Sequence, residues 1–425
     1  MRTLLLVFPV LFAADGGVPD AARRPAAYVE ARRAFVRALE SGTLDEAASA
    51  LGRRRAAAPG RVDVGYDLAC VEARAGQVDR AFATLAPVAD AGLTVDPAAD
   101  TDLAPLQRDP RWGPLLARFA ASRAAVSPKG STLDVPAALG LVEDVAEDPR
   151  TGDVFVSSVR TGEVWRHGSG GWGTWAHPAP PGSGAFALGL DPARRLLHVS
   201  VGVVPQSEGY RKSDEGRSAL LTYRLEDGAE LGRHVPPGEG PHLLGDLTVT
   251  PDGTVFVSDA LAGTVLRLRP GSGALEALVP PHTFASPQTP ALTADGKTLL
   301  VPDWTLGLFA LPLAGGTPEP VRAPEELVTA GIDGLLPVDG GLLGVQNGIV
   351  VPRLIRLWLD SEGRRITRWT VLARGPELTD PTHGVAGRRG PLVIADSGWA
   401  RFTDEGALKP KAPAPRLRIF RLDLH

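Results

Sequence analysis

Four residues with side chains suited to chemistry each stand directly before an apolar strand pattern. Three of them are acids, Glu143, Asp246 and Asp333, and the fourth is His383. An acid at the start of an apolar strand is costly to bury unless it faces a polar cavity. If these side chains converge, they could hold a divalent ion or transfer protons during a reaction. Whether they converge depends on the elements that carry them.

The elements that carry these residues repeat along the second part of the chain. Six segments share one leading residue, an apolar strand pattern, a turn and a second strand pattern, at intervals of 43 to 60 residues. Their leading residues are Glu143, Phe186, Asp246, Thr289, Asp333 and His383. Each interval has room for four strands, which predicts a six-bladed β-propeller over residues 132–425. The chain is therefore expected to be mainly β.

Two further stretches fit this arrangement. The longest interval contains VVPQSEGYRKSDEGRSA, which is too polar and irregular for a strand, and we interpret it as an insert loop within one blade. The final stretch RLRIFRLDL is expected to complete the ring beside an early strand such as STLDV. The two ends of the sheet region would then share one blade.

A propeller places the residue that begins each innermost strand at one mouth of the central channel. Glu143, Asp246 and Asp333 would converge there with His383, and their like charges repel unless a cation or a proton neutralises them. We therefore predict a metal site formed by Glu143, Asp246 and Asp333. Carboxylate oxygens suit Ca²⁺ or Mg²⁺, and a nearby histidine adds Zn²⁺ or Mn²⁺ as candidates.

The same residues carry a family resemblance. The stretches GLVEDVAEDPRTGDVFVSSV, LGDLTVTPDG and GIDGLLPVDGGLLGVQNG resemble the SMP-30/gluconolactonase/LRE group of six-bladed propellers, and DGTVFVSDALAGTVLRL is also similar to NHL-repeat propellers. In the first group a Glu, two Asn and a late Asp hold a divalent cation that polarises a lactone or ester. By motif position Glu143 matches the Glu and Asp333 the late Asp, whereas Asp246 and Thr289 stand where the two Asn are expected.

The resemblance implies a metal-dependent lactonase or esterase acting on a small, sugar-like substrate in the channel. Asp333 or His383 would take the proton from the attacking water. Thr289, Gln346 and Asn347 are the candidates for substrate binding, although the Asn-Gly pair in VQNG is equally typical of a simple turn. The alternative is a propeller that binds a ligand or protein without catalysis.

The first part of the chain has the period of helices. Apolar residues recur at three and four positions between residues 26 and 125, and Gly42, Asp45 and Ala47 recur 34 residues later as Gly76, Asp79 and Ala81. This period resembles that of tetratricopeptide repeats, of which about two units are present. We predict a small helical domain, which either docks a protein partner or packs as a cap on the sheet domain.

The extreme N-terminus and the composition set limits on location and partners. Residues 1–17 combine one Arg, a short apolar run and small residues, which predicts a signal peptide and a periplasmic or secreted protein. The 45 basic and 49 acidic residues leave a net charge of −4, which argues against nucleic acid as a partner. A single cysteine excludes an intramolecular disulfide. No second apolar run approaches the length of a membrane span.

Overall fold

The alternating segments form six antiparallel sheets of four strands each in the computed structural model, which describes residues 23–424. The six-bladed propeller predicted from the sequence is thus confirmed. The first strands of neighbouring sheets contact one another in most cases, which places these strands around the central axis. The predicted signal peptide, residues 1–17, lies outside the described residues.

Each blade is built from four strands in sequence order, with the exception of the last. Blade 1 contains β2 (Val142–Glu147), β3 (Val154–Ser158), β4 (Val164–Gly168) and β5 (Gly171–Ala176). Blade 2 contains β6 (Gly184–Asp191), β7 (Leu196–Gly202), β8 (Ser218–Arg224) and β9 (Glu230–His234). Blade 3 contains β10 (Leu244–Val249), β11 (Val255–Asp259), β12 (Thr264–Leu268) and β13 (Glu276–Ala277). Blade 4 contains β14 (Ala291–Leu292), β15 (Thr298–Asp303), β16 (Gly307–Pro312) and β17 (Glu319–Pro320). Blade 5 contains β18 (Ile332–Val338), β19 (Gly341–Gln346), β20 (Arg353–Leu359) and β21 (Ile366–Arg374).

Blade 6 closes the ring with strands from both ends of the sheet region. It contains β22 (Gly384–Val385), β23 (Leu392–Asp396), β24 (Arg418–Leu422) and, at its outer edge, β1 (Gly130–Asp134). Strand β1 pairs antiparallel with β24, so that Thr132 lies opposite Phe420. The predicted pairing of the final stretch with STLDV is therefore confirmed. The predicted insert loop is residues 203–217, between β7 and β8 of blade 2.

Among the residues that the structure describes, five α-helices precede the propeller. They are α1 (Arg23–Ser41), α2 (Leu44–Ala57), α3 (Asp63–Arg74), α4 (Val78–Ala89) and α5 (Trp112–Ala121), with a 3-10 helix over Thr101–Leu106. Gly42 and Gly76 follow α1 and α3 with φ of 75° and 73°, the left-handed conformation that ends a helix and favours glycine. Ala47 and Ala81 are fully buried, as expected for small residues where paired helices meet. Within residues 23–424, no helix is both long and apolar enough to cross a membrane.

The helical region packs against loops of the propeller. Leu93 and Phe119 share a buried apolar cluster with Val328 and Val350, which precede β18 and β20. Residues 93 and 350 also form an isolated β-bridge. The apolar sides of these helices are thus covered by the same chain, as expected for a cap, and the docking of a protein partner stays a prediction.

Candidate functional site

Local irregularities of the innermost strands position the three acids. The pairing register skips a residue around Asp246 between β10 and β11, around Asp333 between β18 and β19, and around Glu143 between β2 and β3. Such β-bulges re-aim a side chain and end regular pairing. Gly334, directly after Asp333, allows close approach of the next blade, because a Cβ there would lie 3.3 Å from the Cα of His383. Each acid is therefore directed out of its own sheet.

His383 lies between these carboxylates. Its Nε2 atom is 2.7 Å from Asp246 Oδ1, 3.5 Å from Glu143 Oε1 and 3.9 Å from Asp333 Oδ1. Only 1% of His383 is exposed, and Nε2 makes no aligned hydrogen bond with a single oxygen. The contacts are therefore ion pairs that one imidazole nitrogen shares among three carboxylates.

The outward-facing atoms of this cluster are held by neighbouring side chains. The indole Nε1 of Trp399 donates to Glu143 Oε2, and the amide Nδ2 of Asn347 donates to Asp333 Oδ2 at 2.6 Å. Thr289 Oγ1 lies 3.0 Å from His383 Nδ1. The predicted convergence of Glu143, Asp246, Asp333 and His383 is thus present in the structure, and three of the four groups have a fixed orientation.

Burial dominates the proton affinities in the cluster. It raises the pKa of Asp246 well above its ordinary value and that of Asp333 to about 6, although His383 opposes both shifts. Burial alone would lower the pKa of His383, but the charge of Asp246 and the contact with Glu143 raise it well above 6.5. The cluster therefore titrates as a unit and retains the His383 proton at neutral pH.

The predicted divalent metal does not fit these side chains. Within residues 23–424, no group of three or more His, Cys, Asp or Glu residues is arranged to hold a metal ion. A cation bound by carboxylates needs oxygens at about 2.0 to 2.6 Å. The space between Glu143, Asp246 and Asp333 contains His383 Nε2 instead, at 2.7 to 3.9 Å from their oxygens. The assignment of Ca²⁺, Zn²⁺, Mg²⁺ or Mn²⁺ to this triad therefore stays a prediction, which this arrangement of the side chains does not favour.

The cluster forms part of the floor of a cavity of about 670 Å³. Glu143 and Asp333 line this cavity, together with Asn347 and the indole rings of Trp304 and Trp399. Asp246, Thr289 and His383 are not among its lining residues. A ligand in the cavity can thus meet two of the three carboxylates, while the histidine lies behind them.

The helical region and several propeller loops provide the remaining walls. Arg54 of α2 lines the cavity and pairs with Asp67 at 2.9 Å, and Arg61 pairs with Asp63. Further lining residues are Arg32, Tyr66, Leu93, Thr94, Val95, Gln206, Phe402, Thr403, Asp404 and Lys409. The cavity therefore lies between the helical region and the propeller, and it is lined by acids and by arginines, of which Arg54 and Arg61 are ion-paired.

Three predicted site residues have other roles in the structure. His383 is 1% exposed and does not line the cavity, and its pKa is raised by the neighbouring carboxylates, which does not favour it as the base for a substrate water. Thr289 is 8% exposed and contacts His383 rather than the cavity. Gln346 is fully buried, and its amide bonds the carbonyls of Val328 and Ala330. Asn347, the fourth candidate, does line the cavity.

Sequence reasoning missed several residues of the site. Asp144 is buried beside Glu143 and accepts hydrogen bonds from the backbone N–H groups of Val145 and Leu188. Burial raises its pKa to about 6, against the opposing charge of His383. In the sequence, the Glu-Asp pair in LVEDVA indicates Asp144 as a second acid next to Glu143. By contrast, Trp399 contacts Glu143 across 256 positions of the chain, and no local pattern indicates such a contact. Phe186, the apolar leading residue, packs in an apolar cluster.

Comparisons with known proteins identify the fold. No protein-family model matches the chain, and no curated protein matches it by sequence. Among solved structures, the major allergen Mala s 1 of Malassezia sympodialis is 12% identical, with a TM-score of 0.50 over 70% of this chain and 97% of that one. The calcium-binding protein regucalcin of Agrobacterium tumefaciens is 17% identical, with a TM-score of 0.49 over 70% and 95%.

A third similar structure is that of a protein provisionally described as a gluconolactonase. It is 17% identical, with a TM-score of 0.46 over 70% of this chain and 94% of that one. Similarity at these identities concerns the fold alone. The six-bladed propeller that the family resemblance implies is present in the structure, whereas membership of the SMP-30/gluconolactonase/LRE group stays a prediction.

Proposed function

We propose that the chain hydrolyses a small lactone or ester in the cavity between the helices and the propeller. The observation that supports this best is a pair of carboxylates, Glu143 and Asp333, that line a cavity of about 670 Å³. This volume is within the range of small-molecule sites. A carboxylate with a raised pKa in such a cavity is suited to proton transfer.

Asp333 is the proposed general base. Burial raises its pKa to about 6, so it is ionised at neutral pH but takes up a proton more readily than an ordinary aspartate. Its carboxylate would take a proton from water as the water oxygen bonds to the substrate carbonyl carbon. The same proton then passes to the leaving oxygen as the carbon–oxygen bond of the ester or lactone breaks.

The neighbouring residues would orient the reacting groups. Asn347 donates to Asp333 Oδ2 and accepts from Trp304 Nε1 at 3.0 Å, which fixes the plane of the Asp333 carboxylate. Trp399 holds Glu143 by its indole N–H. Glu143 is therefore placed to accept a hydrogen bond from a substrate hydroxyl, and no step of this mechanism requires a metal ion.

The proposal is tested by a hydrolysis assay with matched variants. Purified full-length protein is incubated with a panel of small lactones and aryl esters, and acid release is followed in a pH-stat. Asp333→Asn should reduce the rate by about 100-fold or more, because a general base contributes about that much. Asp252→Asn is the control, since Asp252 belongs to a turn where it bonds Thr250 and Thr254. Equal rates in both variants would contradict the proposal.

A ligand-binding propeller without catalysis is the second candidate. It is favoured by the indole rings of Trp304 and Trp399 in the cavity wall, because flat aromatic surfaces commonly contact sugar-like ligands. In this case sugar lactones would quench tryptophan fluorescence without being hydrolysed. Binding unchanged in Asp333→Asn, with no turnover in the parent protein, would favour this candidate over the hydrolase.

Export and a protein partner are also proposals. The predicted signal peptide supports a periplasmic or secreted location, which cell fractionation with N-terminal sequencing of the exported chain would test. The tetratricopeptide-like period supports a partner that binds the solvent-facing side of the helices. Pull-down with the full chain, compared with a chain mutated on the exposed face of α1, would test this contact.

A further inference from the structure

His383 lies where acids from three blades of the propeller meet. Its Nε2 atom lies within 4 Å of an oxygen from each of Glu143, Asp246 and Asp333. These acids come from blades 1, 3 and 5, and His383 enters from the segment before blade 6. A point that is shared by oxygens from three blades is where a bound cation would be expected.

His383 also supplies the positive charge that the acids lack elsewhere. Within residues 23–424, the ion pairs of Glu143, Asp246 and Asp333 are made with His383. All three acids are at most 9% exposed, so solvent does little to separate their charges. Buried carboxylates at such distances require a cation or protons nearby.

Thr289 makes a polar contact that orients the imidazole ring of His383. Its hydroxyl oxygen is 3.0 Å from His383 Nδ1, and the contact joins residues 94 positions apart. A second polar contact of this kind fixes the plane of an imidazole ring, as a partner of the second nitrogen does in metal sites. Thr289 and His383 therefore act together, and the ring is held with Nε2 toward the acids.

We propose that the His383 side chain replaces a divalent cation as the counter-ion of the Glu143, Asp246 and Asp333 carboxylates. The site is then complete without metal, and His383 is a positioning residue that holds the acids in place. It follows that removal of the imidazole leaves three converging carboxylates around a space for an ion. A variant without the ring should gain a metal site that the parent protein lacks.

Mn²⁺ binding tests this directly, because it can be measured by electron paramagnetic resonance and calorimetry without a substrate. The parent chain should bind no stoichiometric Mn²⁺ at the cluster after treatment with EDTA. His383→Ala and His383→Asn should each bind one Mn²⁺ per chain and show a higher melting temperature when Mn²⁺ is added. Asn provides an oxygen donor and fills more of the space, so it serves if the Ala variant does not fold.

Two controls locate the gained site. Adding Asp246→Asn to His383→Ala should weaken the gained Mn²⁺ binding, because one carboxylate ligand is lost. His198→Ala removes a second buried histidine that contacts Thr222 instead of acids, and should gain no Mn²⁺ binding. Gain of Mn²⁺ binding in His198→Ala as well as in His383→Ala would show that the effect is not specific to the cluster and would overturn the proposal.

Two further results would contradict the proposal. If the parent chain binds one Mn²⁺ and His383→Ala loses it, His383 is a metal ligand and the proposal is wrong. If folded His383→Ala and His383→Asn bind no Mn²⁺, the acids do not surround a cation position and the proposal is also wrong. None of these Mn²⁺-binding outcomes depends on whether the chain hydrolyses a lactone or ester. Failure of the counter-ion proposal can therefore be distinguished from failure of the proposed hydrolysis.

Discussion

Replacing His383 with Gln should destabilise the chain by about 3 to 5 kcal/mol at pH 7, because it leaves a buried carboxylate without its cation. The closest contact is Nε2 to Asp246 Oδ1 at 2.7 Å, and Asp246 is 4% exposed. The pKa of His383 is raised well above 6.5. The protonation of His383 is therefore complete below pH 6.5 and is lost as the pH rises through the folded-state pKa, while its ion pairs also require ionised carboxylates and weaken as these take up protons at low pH. In the variant, the penalty should shrink as the pH falls, because Asp333 no longer has the charge of His383 to lower its pKa and takes up a proton more readily than in the parent.

A double-mutant cycle isolates the contact between His383 and Asp246. The free energy of unfolding is measured by urea denaturation for the parent, His383→Gln, Asp246→Asn and the double variant at pH 5 and pH 7. We expect a coupling energy of about 2 to 3 kcal/mol at pH 7 and a smaller one at pH 5. Arg224 and Asp227 form the control pair, since they are 2.8 Å apart but about half exposed, with side-chain exposures of 50% and 52%.

The result that would refute this reasoning is a small coupling. A value for His383 and Asp246 no larger than that for the exposed control pair would mean that the buried contact carries no net charge interaction. A coupling equal at pH 5 and pH 7 would likewise contradict the role of ionised carboxylates. Either outcome would remove the electrostatic basis of the proposed counter-ion.

Three further predictions concern single acids and their partners. The rate of hydrolysis should rise with pH through about 6 as Asp333 ionises, and a flat pH–rate profile between pH 5 and 7.5 would contradict its role as base. The pKa of Asp144 is about 6 against an ordinary 3.8, so its ionisation should lower the free energy of unfolding by about 3 kcal/mol as pH rises between these values. Urea titrations should show that the free energy of unfolding falls less between pH 4 and pH 7 in Asp144→Asn than in the parent chain. An equal fall in the two proteins would contradict this prediction. Trp399→Phe removes the donor to Glu143 and should destabilise the fold by about 1 to 3 kcal/mol, whereas an unchanged unfolding midpoint would show that this hydrogen bond contributes little.

The sequence predicts the fold well because each blade repeats one local pattern. Asp246 and Asp333 precede apolar strands, and this misfit with an apolar environment indicates their convergence, which the structure shows around His383. The pairing of the final strand with STLDV was accessible for a similar reason, since closure of a ring requires a partner for the last blade. The glycines at 42 and 76 follow from their spacing and from the conformation that ends a helix.

The contacts that set the chemistry were not accessible from local patterns. Thr289 and His383 meet across 94 positions, and only the folded ring shows that they form a pair. Gln346 and Asn347 are neighbours with different roles: Gln346 is the buried last residue of β19, whereas Asn347 follows the strand and lines the cavity. The period of 34 residues identified helices, but it contained no information on which surface their apolar sides would cover.

The most direct test of the account is hydrolysis by the EDTA-treated full chain, compared with the same protein after addition of Ca²⁺, Mg²⁺, Mn²⁺ or Zn²⁺. The account predicts turnover of a small lactone or ester without added metal, with no more than a small change on metal addition and a large loss in Asp333→Asn. Turnover that appears only when a divalent ion is restored would contradict the assignment of His383 as the cation of the site. Turnover that is unaffected by Asp333→Asn would contradict the placement of the chemistry in this cavity.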